Sequence, residues 1–533
     1  MGTQRKELKC LFSPDSRQIK QKPMKRCRPV FIPLLFWFPL FISAQDSRPV
    51  PNHVPSFIFT QHQPTSKDYY LTAPFKAGIS ITDTTGKYPK PLMLLDANGY
   101  LVWYKPVFTQ NILNFKYLPE YDQYSWINYV NQHDIRYMIM DKHFQVLDSF
   151  TTTNDIRPDL HEFQVTKNQE YVLAGVYDTI MDLSNYQFNG QFGSSQTSVI
   201  GFAIQKFNAA HELLFEWKSL DYIHPTEAYD QYGYSADHFD YCHGNAIWED
   251  TDGDYLVSFR NLNAIYKISS TSGEVVWILG GKSSTFSFTN DHGFSAQHDA
   301  VRLPNGNLSL FDNANMADPP KISRAVEYML DTVNWTATNV WEYKHNPGFL
   351  SIAMGNHQTT EDRRHLINYG YNFRPDPSFV TTDDDGNLQT EFLFQDSFMS
   401  YRSFLFDIPF DQSKRPQINC EPGASFVTLS ALNGYDHYEW STGENTQSIQ
   451  VNQTGVYQVW VNYGIGMIGS NPVFINNLEA GCDSSGTQSP PATGHNIIAY
   501  FDLLGRKLDQ PIKGLPYVVL FDNGQSKLQI QLP

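Results

Sequence analysis

"QHDAVRLPNGNLSLFDN", residues 297–313, holds two extended stretches and the turn between them. Asn305-Gly306 joins Ala300-Val301-Arg302-Leu303 to Leu308-Ser309-Leu310-Phe311, and an Asn-Gly pair between such stretches is a strong β-hairpin signal. The first strand opens on Gln297-His298-Asp299, a polar triplet where a core strand would start on an apolar residue. A polar strand head needs a polar space to face.

The same hairpin recurs. It appears as "HEFQVTKNQEYVLAG" from His161, "HGNAIWEDTDGDYLVSFR" from His243 and "NHQTTEDRRHLINYG" from Asn356. Each precedes, or would precede, a second unit in which an apolar stretch, a turn and an aromatic-bearing stretch follow one another. Those units are "PLMLLDANGYLVWY" from Pro91, "YMIMDKHFQVLDSF" from Tyr137, "IQKFNAAHELLFEW" from Ile204, "IYKISSTSGEVVWI" from Ile265, "VEYMLDTVNWTATNVWEY" from Val326 and "PSFVTTDDDGNLQTEFLF" from Pro377. Two hairpins make a four-stranded antiparallel sheet, and six of them predict an all-β, six-bladed β-propeller over 45–412. A seven-bladed propeller and a stack of β-sandwiches are the competing architectures. In a propeller the first strand of each blade lines a central channel. His161, His243, His298 and His357 head that strand in four successive units and are expected to ring one mouth of the channel. Arg260 ends the return strand "DYLVSFR" at the same mouth, and its planar fork suits a sulfate, phosphate or carboxylate. His238 and His292 fall in polar loops nearby.

Composition narrows the function. The formal net charge is −16, and charged residues make up only 18% of the chain. This excludes nucleic acid as a partner, because phosphate binding needs a basic face. Lys25, Arg26 and Arg28 precede an apolar run from Val30 to Ile42 and then Ser43-Ala44, the pattern of a signal peptide over 1–44, with Met24 as an alternative start. No later segment is apolar enough to span a membrane, so no transmembrane span is expected once the leader is removed. Cys10 and Cys27 leave with the leader. Cys420 and Cys482 bracket a C-terminal module and can pair. Cys242, beside His243, is read first as core filler and second as a nucleophile or ligand.

Taken together, "CHGNAIWEDTDGDYLVSFRNLNAIYKISSTSGEVVWILGGKSSTF" and "FSAQHDAVRLPNGNLSLFDN" resemble the bacterial arylsulfotransferase family, with "GNHQTT" and "YRSFLFDIPF" fitting its later blades. The resemblance implies a six-bladed propeller that moves a sulfuryl group from one phenol to another without a nucleotide donor. It implies three channel histidines and one arginine, with one histidine transiently sulfated. By motif position His298 matches the nucleophile, His243 and Arg260 the second histidine and the arginine, and His161 the third histidine. His357, Asp299, Asn245 and Asn313 are expected to contact substrate. An aryl sulfate donor and a phenolic acceptor are the implied partners. No cofactor and no metal ligand set are expected, and no Gly-rich phosphate loop is present. Two other functions compete: a non-catalytic propeller that binds an anionic or glycan ligand, and a lyase or hydrolase with a metal held by the channel histidines.

After Phe410 the pattern changes. Residues 416–478 alternate apolar and polar residues over short strands, predicting a small Ig-like β-sandwich. A Ser/Pro/Gly-rich linker follows over 479–495. The tail, 496–533, with "YFDLLGRKL", "GLPYVVLFDNG" and "SKLQIQ", resembles the C-terminal β-sandwich sorting domain of the type IX secretion system, whose machinery is the implied partner. It lacks that domain's usual opening motif and is short. The expected location is the cell surface or the medium, after export through the periplasm.

Overall fold

The structure is a computed structural model. It describes residues 47–63, 67–76, 88–107, 111–131, 133–188, 190–229, 234–235, 237–371 and 376–482. In the tail it describes the backbone of the strands within 497–502, 507–508, 516–521 and 526–530. The leader at 1–44 and most of the linker lie outside the described residues.

The chain is nearly all β. Turn-punctuated stretches rich in Val, Ile, Tyr and Phe each fold back on their predecessor, giving sheets of four antiparallel strands that follow sequence order. Among the described residues, six sheets are built this way. Sheet 1 holds Tyr69–Lys76, Leu92–Leu95 and Leu101–Lys105, with Phe398–Phe406 as its inner strand. Sheet 2 runs from Asn111–Leu118 to Val146–Phe150, and sheet 3 from Arg157–Val165 to Leu213–Lys218. Sheet 4 runs from Gly244–Glu249 to Val275–Gly280, and sheet 5 from His298–Arg302 to Thr336–Tyr343. Sheet 6 runs from Asn356–Thr359 to Leu388–Phe394, and Phe57–Gln61 pairs with its last strand. The inner strands touch one another in order, from 398–406 through 111–118, 157–165, 244–249, 298–302 and 356–359 back to 398–406. The sheets thus close into a propeller-like ring. Chain closure is supplied by two distant segments, each bringing a strand to a sheet it does not follow in sequence.

Most inner strands carry a β-bulge, an extra residue or more opposite one partner residue. Asn114 and Phe115 share one partner in sheet 2. Residues 159–162 stand opposite Ala174 alone in sheet 3. Asn245 is the extra residue in sheet 4 and Asp299-Ala300 form the bulge in sheet 5. Tyr401-Arg402 form it in sheet 1. The strand Asn356–Thr359 pairs in unbroken register. Asn114 and Asp299 are both left-handed, with φ of 58° and 56°. The bulges twist short polar runs out of the ladder and into the centre of the ring.

The segment from Ile418 to Ile475 forms further antiparallel strands and is fastened to the ring by more than a linker. Gly466–Gly469 pairs with Leu101–Lys105, so three of its strands extend sheet 1 to seven. A Cβ at Gly466 would lie 2.4 Å from the Tyr104 carbonyl oxygen, so only glycine permits this approach. Trp103, Phe144, Trp440 and Val459 share one buried core across the junction. Cys420 and Cys482 are disulfide-bonded, and Cys242 is free and buried. The tail backbone forms a four-stranded antiparallel sheet. Among the described residues, no helix is long and apolar enough to cross a membrane.

Candidate active site

His161, His243 and His298 are carried by three successive inner strands, but not from one register position. His298 is the first residue of its strand and pairs with Phe311. His243 precedes its strand by one residue. His161 lies within the wide bulge of sheet 3. The expectation of four equivalent strand heads is corrected here: bulges of unequal length bring three unequal positions together. The rings of His161 and His243 meet edge to face at 4.9 Å between centroids. Tyr401 lies beside both His161 and His298, at 5.8 and 6.5 Å between ring centroids.

Each histidine has its own orienting partner. Asp159 Oδ1 lies 2.7 Å from His161 Nδ1. Asp240 Oδ2 lies 2.5 Å from His243 Nδ1. A carboxylate at Nδ1 fixes the proton there and leaves Nε2 for the substrate side. Burial alone would lower the pKa of His243, but Asp240 outweighs it and holds the imidazole above its usual range. The reciprocal effect holds Asp240 below the usual carboxylate range against its own burial.

His298 is built differently. It is buried, and no carboxylate touches its ring among the described residues. Asn313 Nδ2 donates to the carbonyls of Ser351 and Met354, both at 2.9 Å. Its Oδ1 therefore faces His298 and accepts from Nδ1 at 2.7 Å. The Ala296 carbonyl, 3.0 Å away, is a second acceptor at the same nitrogen. Two acceptors at Nδ1 place the proton there and leave a lone pair on Nε2. The Met354 N–H donates to that lone pair at 3.2 Å. Burial, and then the charge of Arg260, hold His298 well below the usual histidine range, so its ring is neutral.

Arg260 opens a single 3-10 turn, Arg260–Leu262, directly after the strand Tyr255–Phe259. Its backbone N–H donates to the His243 carbonyl at 3.0 Å, which ties the arginine to that histidine. Its Nη1 donates to Asn261 Oδ1 at 2.9 Å.

Next to the histidines in sequence and space stand the partners of Arg402, which is buried. Nη1 donates to Glu162 Oε2 at 2.7 Å and faces Asp299 Oδ1 at 3.3 Å, and Nη2 donates to the Asn245 carbonyl at 2.8 Å. Lys116 Nζ reaches Glu162 at 3.1 Å. One guanidinium thus joins three bulges, one holding His161 and the others one and two positions after His298 and His243. Burial would push Glu162 up, but Arg402 and Lys116 hold it below its usual range. Burial dominates at Asp299, whose pKa is pushed up to about 6.

Several expected substrate contacts take other positions. Asp299 turns to Arg402. Asn313 holds His298. Asn245 Nδ2 donates to the Gln297 carbonyl at 2.7 Å, and its Oδ1 is buried without a partner among the described residues. His357 sits in the unbulged strand and does not join the group. Its Nδ1 lies 2.7 Å from Ser309 Oγ, its Nε2 lies 3.0 Å from His365 Nδ1, and its ring stacks on Trp341. Burial pushes the Cys242 thiol up to about 12, which suits core filling and leaves little nucleophilic thiolate. His238 is exposed on a short strand two residues before Asp240.

A cavity of about 180 Å³ is lined by Asp159, His161, Asp240 and His243 together with the apolar Val176, Ile200 and Phe202. Val176 comes from the strand Tyr171–Met181 and Ile200 and Phe202 from Thr197–Phe207, which pair with each other in sheet 3. A larger cavity of about 670 Å³ lies beside sheets 4 and 5, lined by His292, Phe286, Phe294, Met316 and Arg324 among others. Its arginine is committed to Asp291, Asp312 and Glu342 at 2.8–2.9 Å, and none of the three clustered histidines lines it.

Asp159, Asp240, Tyr401 and Arg402 were not legible as site residues. The aspartates lie two and three positions before their histidines, so a carboxylate just upstream of each histidine was the available signal. Tyr401 and Arg402 come from the closing strand, far away in sequence.

Residues 141–395 match the family model described as arylsulfotransferase (ASST). That stretch contains His161, His243, Arg260, His298 and Asn313, while Tyr401 and Arg402 lie just beyond it. No curated protein matches the chain. Among solved structures, a protein of unknown function from Bacteroides caccae is 11% identical, with TM-score 0.40 over 64% of this chain and 99% of that one. The periplasmic gluconolactonase of Pseudomonas aeruginosa is 10% identical, with TM-score 0.34 over 77% and 99%. A catalytically inactive variant of virginiamycin B lyase from Staphylococcus aureus, solved with quinupristin, is 9% identical, with TM-score 0.32 over 70% and 96%.

Proposed function

We propose that this protein transfers a sulfuryl group from an aryl sulfate to a phenolic acceptor through an N-sulfohistidine at His298, with no nucleotide donor. The observation that carries this reading is the fixed tautomer of His298, a neutral imidazole whose Nε2 carries no proton of its own and accepts from the Met354 N–H, with a family-matched sequence around it. His298 Nε2 attacks sulfur, and the bond from sulfur to the phenolic oxygen breaks. The departing phenolate takes the proton of His243, whose charged form Asp240 favours. The acceptor phenol then attacks the same sulfur, returns a proton to His243 and frees His298. Arg260 bears on the negative sulfuryl oxygens, and the Met354 N–H is in reach of one of them once the lone pair is used. Asp159 holds His161 ready for the same anion. The reading includes export, through the leader at 1–44 and the sorting segment at 496–533, to the cell surface or medium.

Incubation of the mature protein with a chromogenic aryl sulfate, with and without an added phenol, tests the proposal. Multiple turnovers are expected only with the acceptor. Phenol release that never depends on acceptor would mark a hydrolase, and binding without release would mark a receptor. Arg260→Leu should lose at least about a hundredfold in kcat/KM, the range seen on removing an oxyanion donor. Arg260→Lys keeps the charge without the fork and should fall between. A wild-type rate in Arg260→Leu would remove the anion-binding role.

The pH profile follows from the two shifts. The nucleophile must be neutral, and His298 lies below 6.5, so the acid limb falls below 6.5. The proton donor must be charged, and His243 lies above 6.5, so the alkaline limb falls above it. The rate should therefore pass through its maximum between the two limbs, and His243→Asn should remove the alkaline limb. An acid limb centred at or above 6.5 would contradict a buried neutral nucleophile.

A further inference from the structure

We propose that His357, His365 and Glu327 form a site for one divalent transition-metal cation of the zinc class, separate from the sulfuryl-transfer site. All three side chains are fully buried, and one ligand atom from each lies within 4.8 Å of the others. His357 Nε2 and His365 Nδ1 face each other at 3.0 Å. Two ligands on a tetrahedral zinc ion, each about 2.0–2.1 Å from the metal, stand roughly 3.3 Å apart. The pair is therefore close to the spacing that a shared ion sets. The Thr359 hydroxyl lies 3.4 Å from His357 Nε2, 3.2 Å from His365 Nδ1 and 3.2 Å from Glu327 Oε1, so it offers a fourth ligand, an oxygen, to the same point.

The outer groups suit a metal as well. A ligating imidazole normally donates its far N–H to an oxygen, which fixes ring and tautomer. His357 Nδ1 lies 2.7 Å from Ser309 Oγ, and His365 Nε2 lies 3.2 Å from Asp384 Oδ1. Trp341 stacks on both rings, at 5.0 and 3.9 Å between centroids, and the two imidazole planes lie 25° apart. Arg363 Nη1 donates to both oxygens of Glu327, at 2.9 and 3.1 Å. Glu327 also accepts from the Thr359 hydroxyl at 3.2 Å and from Asn307 Nδ2 at 3.4 Å, so a metal bond at Oε1 takes the place of the Thr359 contact while Arg363 keeps its own. Glu327 and Asp384 against Arg363 leave one net negative charge, which a divalent ion turns to one net positive. The site ties sheet 5 to sheet 6, since Glu327 comes from the strand Arg324–Asp331 and the histidines from the hairpin 356–368.

The same atoms also form a complete hydrogen-bond chain with no ion, from the Ser309 O–H through His357 and His365 to Asp384. The experiment decides between the two. The full chain, produced without a histidine tag and stripped with a chelator, is titrated with cobalt(II) and, separately, with zinc. One equivalent of cobalt with the strong visible absorption of a four-coordinate site is expected. His357→Gln and His365→Gln should abolish it, and His243→Asn should retain it. X-ray absorption of the zinc-loaded wild type should show two imidazoles with oxygen ligands, a readout that stands even if the variants fail to fold. No stoichiometric binding, binding that survives both glutamine variants, or binding that is lost in His243→Asn overturns the proposal. Sulfuryl transfer is read apart from this, because it runs through His298.

Discussion

His298→Asn should produce a folded protein that releases no phenol from an aryl sulfate, in a first turnover or any later one. Wild type should show a burst of about one phenol per site before acceptor is added, as a double-displacement enzyme must. Intact mass should gain a single sulfuryl group, mapping to the peptide around His298. Asparagine carries an amide that is not a nucleophile, so both signals should disappear. The fold should tolerate the change, because asparagine can still donate toward Asn313 Oδ1 and the Ala296 carbonyl, the acceptors that now hold Nδ1. His243→Asn is the useful contrast. It removes the charged donor but leaves the nucleophile, so the adduct should still form, more slowly for phenols that leave poorly. A wild-type burst in His298→Asn, or an adduct on another residue, would end the assignment.

Arg402→Met should be the most damaging change away from the reacting atoms. The side chain has roughly the right length, so the loss is mainly electrostatic. Glu162 and Asp299 remain buried in the ring with Lys116 as the near cation, and the Asn245 carbonyl keeps only the longer contact from the Tyr401 hydroxyl, at 3.4 Å. Removing one member of a buried ion pair typically costs about 3–5 kcal/mol. The chain should unfold at clearly lower denaturant or temperature. Activity should fall further than stability explains, since Glu162, Asn245 and Asp299 stand next to or within two positions of His161, His243 and His298. Arg402→Lys separates the effects. Its charge can satisfy Glu162 and recover part of the stability. A single ammonium cannot span all three bulges, so the burst rate should stay low in conditions where the protein is fully folded. Wild-type stability and burst rate in Arg402→Met would show that the network positions nothing.

Much of this protein was legible in its residues. Alternating hairpins with Gly- and Asn-containing turns specified an all-β chain of repeated four-stranded units, because side-chain alternation and turn chemistry are local properties. The repeat placed His161, His243 and His298 in comparable strands, and it placed Arg260 at the end of a return strand beside His243. The sequence also carried Asp159 and Asp240, close upstream of the histidines they orient.

Tertiary structure decided which histidines meet. His357 looked equivalent to the others because the repeat copies it, yet its strand has no bulge and its ring packs with His365 and Trp341. A bulge is a mismatch between two strands, two or more residues against one. It depends on the partner and cannot be read from one strand's pattern, and a shift of a single residue sends a side chain to the other face. Arg402 was hidden for a related reason. It acts only because the closing strand brings residue 402 back beside residues 162, 245 and 299, and that closure is a property of the ring. The roles of Asp299 and Asn313 were likewise set by what they face. Asp299, next to His298 in sequence, turns to Arg402, while Asn313, fifteen positions later, fixes the tautomer of His298. Sequence supplied the chemical groups and their approximate strands, and the register of one strand on another set the direction in which each group works.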